Sequence, residues 1–140
     1  MAFKLNELAK CVFKEAQSRG WFQDHWQEGH IHEHLDAASE GADEAWKSVD
    51  YELPRFGSKI NSEVAELWEA YRRSILHEPC DKVYPNGQPI GLSCAEEELA
   101  DILIVVLEFA GFMGVDIEEA VKIKRHYNTT REQKHGNKRA

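Results

Sequence analysis

The chain has 140 residues, 42% of them hydrophobic and 30% charged, the balance of one ordinary globular domain with a single core. Its net charge of −8 divides into an acidic body, with 10 basic and 24 acidic residues up to position 121, and an end from Lys122 to Ala140 with seven basic residues and one acid. So acidic a body argues against general nucleic-acid binding, three cysteines without CxxC spacing (Cys11, Cys80, Cys94) argue against a disulfide framework or zinc knuckle, and the longest apolar stretch is too short to span a bilayer.

Leu5, Leu8, Ala9, Val12, Phe13 and Ala16 recur at helical spacing, and Gly20 supplies a C-cap, so the spacing predicts a first amphipathic helix. Trp21 and Phe22 follow as an aromatic hinge, either plugging the core edge or offering rings to a flat ligand. Residues 23–34 are polar and contain His25, His30, His32 and His34; a strand would put the last three on one face and a helix would not, and a metal role is not expected. From Ile31 to Tyr51 a weaker apolar stripe (Leu35, Ala38, Ala42, Ala45, Trp46, Val49) predicts a helix that ends at Pro54, with Gly57-Ser58 opening the next.

Between Lys59 and Leu76 the periodicity is strong. Ile60, Val64, Leu67, Trp68, Tyr71 and Ile75 form an apolar face, with Trp68 expected in the core, and Lys59, Glu63, Glu66 and Ala70 form the adjoining stripe. Residues 77–93 hold three prolines and two glycines, a loop of unusual length for a small domain. Ser93 with Glu96 resembles a helix start. The helix it opens, through Ile102 to Met113, is apolar on nearly every side and reads as buried, with Gly114 ending it. Asp116 caps a last helix whose stripe Ile117, Ala120, Val121, Lys124, Asn128, Arg131 changes from apolar to cationic. With no strand signal beyond a few residues, the expected fold is all-α: one domain, a bundle of four to five helices completed by oligomerisation, followed by a basic tail at 132–140.

Glu63/Glu66 and Glu98/Asp101 are i,i+3 pairs, so each projects two carboxylates from one side of its helix. Acids on a helix as apolar as the second are costly to desolvate unless a cation or donors compensate. Mg²⁺ takes hard oxygen ligands and shares its shell between carboxylates and phosphates, with Mn²⁺ a chemically similar substitute. Lys124, Asn128 and Arg131 at i, i+4 and i+7, together with Lys59, offer donors suited to phosphate oxygens. No Walker A or GxGxxG loop is present. The Glu63/Glu66 pair alone is equally well read as a solvated helix face. Glu108, two turns beyond Asp101, is either a supporting acid or a buried hydrogen-bonding group.

The order Glu63-x-x-Glu66, loop, Glu98-x-x-Asp101, Lys124-x-x-x-Asn128-x-x-Arg131 and His135-Gly136-Asn137-Lys138 resembles the MazG-like, all-α nucleotide pyrophosphohydrolases, most closely from Lys59 onward. The resemblance implies that Glu63, Glu66, Glu98 and Asp101 hold Mg²⁺, one of them activating water. It also implies that Lys124, Asn128 and Arg131 contact phosphates, and that the reaction splits a nucleoside triphosphate into monophosphate and pyrophosphate. The chain departs from the pattern at Val105, Glu132 and Asn137, and 23–57 reads as an insertion.

The expected protein is therefore a cytoplasmic, Mg²⁺-dependent (d)NTP pyrophosphohydrolase acting in housecleaning or nucleotide-pool control. It is expected as a homo-oligomer, a dimer or dimer of dimers, with Trp21 and Phe22 as base-stacking candidates and neither nucleic acid nor membrane as partner. A phosphoribosyl-ATP pyrophosphohydrolase-like activity and a non-catalytic helical dimerisation module are the competing readings. A carboxylate di-iron bundle is disfavoured because the core helices lack Glu-x-x-His pairs.

Overall fold

A computed structural model describes residues 4–22 and 31–131. Its regular elements are all helical: α1 (Leu5–Ser18), a short 3-10 turn (Ile31–His34), α2 (Ala42–Arg72), α3 (Cys94–Met113) and α4 (Ile117–Thr129). The all-α expectation holds, with four α-helices among the described residues. His25, His30 and the tail from 132 to 140 lie outside them.

α1 buries Ala9, Val12, Phe13 and Ala16 along one face. It stops at Gly20, whose φ of +97 lets its N–H reach Gln17 O and lets Trp21 N–H reach Ala16 O, both at 3.0 Å. The last carbonyls of the helix are thus satisfied by the following turn. Phe22 sits at φ +58, which costs an L-residue about 1–2 kcal/mol. Its ring lies 5.0 Å from that of Phe13 and 5.1 Å from that of Phe112. Burying such a ring is worth about 1.5–3 kcal/mol before the ring-pair attraction is added, so packing wins over strain.

Two sequence expectations fail in α2. The segment from Ile31 is not one helix to Tyr51: after the 3-10 turn, helix begins only at Ala42, behind Gly41 at φ +87. Nor does Pro54 end it, because α2 continues unbroken for 31 residues, about 46 Å, through Gly57 and Ser58. Proline removes one helical N–H and crowds the carbonyl four residues back. Here Pro54 and Asp50 both face solvent, so water can satisfy that carbonyl, while Val49, Glu52 and Phe56 hold the helix on its packed side. The local penalty of proline is overridden by tertiary contact.

α3 opens as expected. Ser93 Oγ accepts from Glu96 N–H at 3.1 Å, and Glu96 Oε1 accepts from Ser93 N–H at 2.9 Å, a reciprocal cap. Gly114, at φ +70, closes the helix. Asp116 caps α4 by accepting from Glu119 N–H at 3.0 Å, and it also accepts from Asn6 Nδ2 at 2.8 Å, which ties the start of α4 to α1.

The contacts Phe56–Phe109 (4.5 Å between ring centroids) and Lys59–Glu108 (3.3 Å) show α2 and α3 antiparallel. α1 covers the C-terminal half of α3, where Gly111 admits the backbone of Ala9. Phe13, Ala16, Phe22, Ile31, Ala45, Val49 and Phe112 form one core cluster, and Ala9, Val12, Leu107 and Ala110 an adjoining one. Both lie at that end.

Among the described residues the other end of the α2–α3 pair has no such cover, which corrects two further expectations. Trp68, expected in the core, is 56% exposed, in company with Tyr71 and Val64. α3 is not buried on every side either, since Leu99, Leu103 and Ile104 face outward. α4 packs on α1 and buries no residue, leaving Val121, Ile123 and Tyr127 exposed. No helix among the described residues is long and apolar enough to cross a membrane.

Candidate metal centre

The face of α2 that meets α3 carries Glu52, Phe56, Lys59, Glu63, Glu66 and Ala70, successive three- and four-residue steps on one side of a helix. Toward the core end these positions are neutralised. Glu52, 1% exposed, accepts from Arg55 Nε at 2.7 Å. The buried Glu108 pairs with Lys59 Nζ at 3.3 Å. Past Lys59, Glu63 and Glu66 form no ion pair among the described residues.

Glu63, Glu66 and Glu98 each bring one carboxylate oxygen into a group in which all three lie within 4.8 Å of one another. Glu98 is only 7% exposed, and its Oε2 is buried with no hydrogen-bond partner among the described residues. Burial, then the charge of Glu66, pushes the Glu98 carboxyl up to about 7. Burial, followed by the charges of Asp101 and Glu66, raises Glu63. Asp101, half-buried, stands outside the trio but near enough to act on both. Of the four expected ligands, the structure thus brings three together and sets the fourth beside them.

A buried carboxylate oxygen without a donor is costly. Three convergent carboxylates are a hard-oxygen donor set of the kind that a small divalent cation takes. The donor set is chemically compatible with a divalent cation such as Mg²⁺ or Mn²⁺.

The other expected positions separate. Lys59 borders the trio: its charge acts on Glu63, and its Nζ lies 5.7 Å from the Trp21 ring centroid. Trp21 is 46% exposed and also carries the Arg55 guanidinium, 4.9 Å from its centroid. Phe22, expected as a second stacking ring, is spent on the core at 5% exposure. Lys124, Asn128 and Arg131 lie on or just past α4, where Lys124 Nζ sits 4.4 Å over the Tyr127 ring. Among the described residues no hydrogen bond or ion pair joins those three to the acids. His32 and His34 lie in the 3-10 turn, with His34 Nδ1 3.3 Å from both Glu40 O and Ser39 Oγ, and join no metal-ligating group among the described residues.

Three residues of this region carried no assigned role in the sequence. Glu97, at the edge of burial, pairs with Lys82 Nζ at 3.5 Å. Lys82 also donates to Asp81 at 3.2 Å, which holds its amine above the ordinary lysine range. Arg73 lies at the C-terminal end of α2. All three line a cavity of about 440 Å³ shared with Glu66 and Glu98. The position of a cation within a Pro/Gly-rich loop was the available signal for Lys82, and it is weak. Arg73 resembles any helix-end arginine.

Scans against protein-family models, curated proteins and solved structures returned no match.

Proposed function

We propose that this protein is a Mg²⁺-dependent nucleoside triphosphate pyrophosphohydrolase of MazG-like type, cleaving the α–β phosphoanhydride of a (d)NTP to (d)NMP and pyrophosphate. The observation that carries the proposal is the buried, unpartnered Glu98 Oε2 within the trio of Glu63, Glu66 and Glu98. A desolvated carboxylate without a donor is costly to leave ionised, and a bound cation relieves that cost.

When bound, the cation acts as a Lewis acid on phosphate oxygens and lowers the pKa of its water. Glu63, Glu66 and Glu98 would hold it, and Asp101, beside them, would accept a proton from the attacking water. Lys59 lies at the border of the trio, placed to meet a phosphate oxygen. Trp21, next to Lys59 and half exposed, offers the base a ring.

The uncovered apolar face made by Val64, Trp68 and Tyr71 of α2 and Leu99 and Leu103 of α3 supports a homo-oligomer. In that assembly Lys124, Asn128 and Arg131 would reach the phosphates. A role in nucleotide housecleaning in the cytoplasm follows from the same proposal.

Incubating purified protein with a panel of dNTPs and Mg²⁺ tests the reaction. The expected products are NMP and pyrophosphate in equal amounts, abolished by chelator; orthophosphate release, or no turnover across the panel, overturns it.

A further inference from the structure

The cavity beside Glu66 and Glu98 is built from the C-terminal end of α2, the loop after it and the first turn of α3. At about 440 Å³ it is of ligand-site size. Six acids and two cations line it, Arg73 and Lys82 being the cations. Arg73 forms no ion pair among the described residues, whereas its neighbour Arg72 is engaged with Glu69 at 2.9 Å. Lys82 Nζ is held over the cavity wall by Asp81 and Glu97.

Along α2 the chemistry is ordered. Trp21 and Lys59 come at one end, Glu63 and Glu66 in the middle, and Arg73 at the other end. Glu66 to Arg73 is seven residues, about 10 Å along the axis, and Lys59 to Glu66 is the same. From this order we infer that Arg73 and Lys82 form a subsite for the pyrophosphate end of the substrate, on the side of the carboxylate trio opposite Trp21. The inference rests on the proposed reaction and gives it a direction: nucleoside toward Trp21, leaving group toward the α2–α3 loop.

The lining also sets a condition. With acids outnumbering cations three to one, a free polyanion is repelled, so the subsite accepts pyrophosphate only with a divalent cation on the trio. On binding, phosphate oxygens replace the carboxylates of Asp81 and Glu97 as partners of Lys82, and Arg73 contributes a planar fork.

Titration calorimetry with inorganic pyrophosphate tests this on the full chain, with and without Mg²⁺, for the wild type, Arg73→Ala, Lys82→Ala, the double variant and Arg73→Lys. Arg73 is exposed and unpaired among the described residues, so Arg73→Ala is expected to keep the wild-type melting temperature, whereas Lys82→Ala removes the partner of Glu97 and is expected to lower it slightly without unfolding the chain. Wild type should bind pyrophosphate only with Mg²⁺. Each alanine should weaken binding roughly 10-fold and the double variant roughly 100-fold, with KM for a dNTP rising in parallel. Arg73→Lys should recover part of the loss.

If wild type hydrolyses dNTPs but the double variant keeps its pyrophosphate affinity and KM, the subsite is wrong and the reaction stands. Pyrophosphate binding as tight without Mg²⁺ as with it overturns the subsite as well. If wild type neither turns over a dNTP nor binds Mg²⁺–pyrophosphate, the reaction itself falls and takes the subsite with it.

Discussion

Glu66 of α2 and Glu98 of α3 press like charges against one another across the helix seam, and after burial the Glu66 carboxylate is the strongest influence raising Glu98 to about 7. An acid whose folded pKa lies above its ordinary 4.5 binds its proton more tightly when folded. Its stabilising contribution is complete below about 4.5 and is lost as pH rises to about 7. Thermal melts of metal-free protein should therefore show a falling midpoint over that window. Mg²⁺ needs the ionised carboxylate, so the metal-induced rise in midpoint should grow up to about pH 7 and then level off.

Glu98→Gln keeps the shape and removes the charge. The metal-free variant should melt no lower than wild type above pH 7, because the repulsion with Glu66 is gone. Its Mg²⁺-induced stabilisation should vanish, and turnover should fall at least about 100-fold. Were this chain a non-catalytic helical module, neither wild type nor variant would change its melting temperature on adding Mg²⁺ or nucleotide.

Lys59→Met strands the buried Glu108 carboxylate. The expected cost is about 1–3 kcal/mol in denaturant unfolding, and adding Glu108→Leu should recover most of it. Turnover should not recover in the double variant, because the proposed phosphate contact of Lys59 is still missing. That split between stability and rate separates the two roles of the residue.

A Cβ at Gly111 would lie 2.6 Å from Phe13 Cβ and 2.7 Å from Ala9 O. The second of these is backbone and cannot rotate away. Gly111→Ala should force α1 from α3 and destabilise the protein by about 1–3 kcal/mol, despite the better helix propensity of alanine. Equilibrium unfolding in urea checks this.

Trp68 and Leu103 are 56% and 49% exposed on the uncovered end of the α2–α3 pair. If a second copy covers them, Trp68→Glu and Leu103→Glu should each lower the mass measured by sedimentation equilibrium toward that of one chain. A wild type with the mass of one chain would remove the oligomer from the proposal, and equal oligomeric mass for all three would remove this face as its interface.

Much of the fold was legible because the signals are local. The alternation of apolar residues in α1, the Ser93–Glu96 reciprocal cap, Gly114 and the Asp116 cap depend on residues within one or two turns of each other, and they act the same way in any context. What failed was propensity read without neighbours. Pro54 stops a helix in isolation, but α2 is held by Phe56 on Phe109 and by Lys59 on Glu108, and those partners lie about 50 positions away in the chain. Trp68 reads as core from its period alone. Periodicity identifies an apolar face without saying what covers it, and among the described residues nothing covers this one.

For the site, the sequence by itself determined the chemistry: four acids in two i,i+3 pairs, each pair on one helix, and an apolar α3 that makes its acids costly. Only the tertiary structure decided which of them converge. It put Glu63, Glu66 and Glu98 within 4.8 Å, set Asp101 beside them, buried Glu98 Oε2 without a partner, and turned Phe22 into the core. It also joined Arg73 and Lys82 to the same cavity. Spacing along a helix fixes the direction of a side chain, whereas convergence and desolvation depend on the register of α2 against α3, set by contacts remote in sequence.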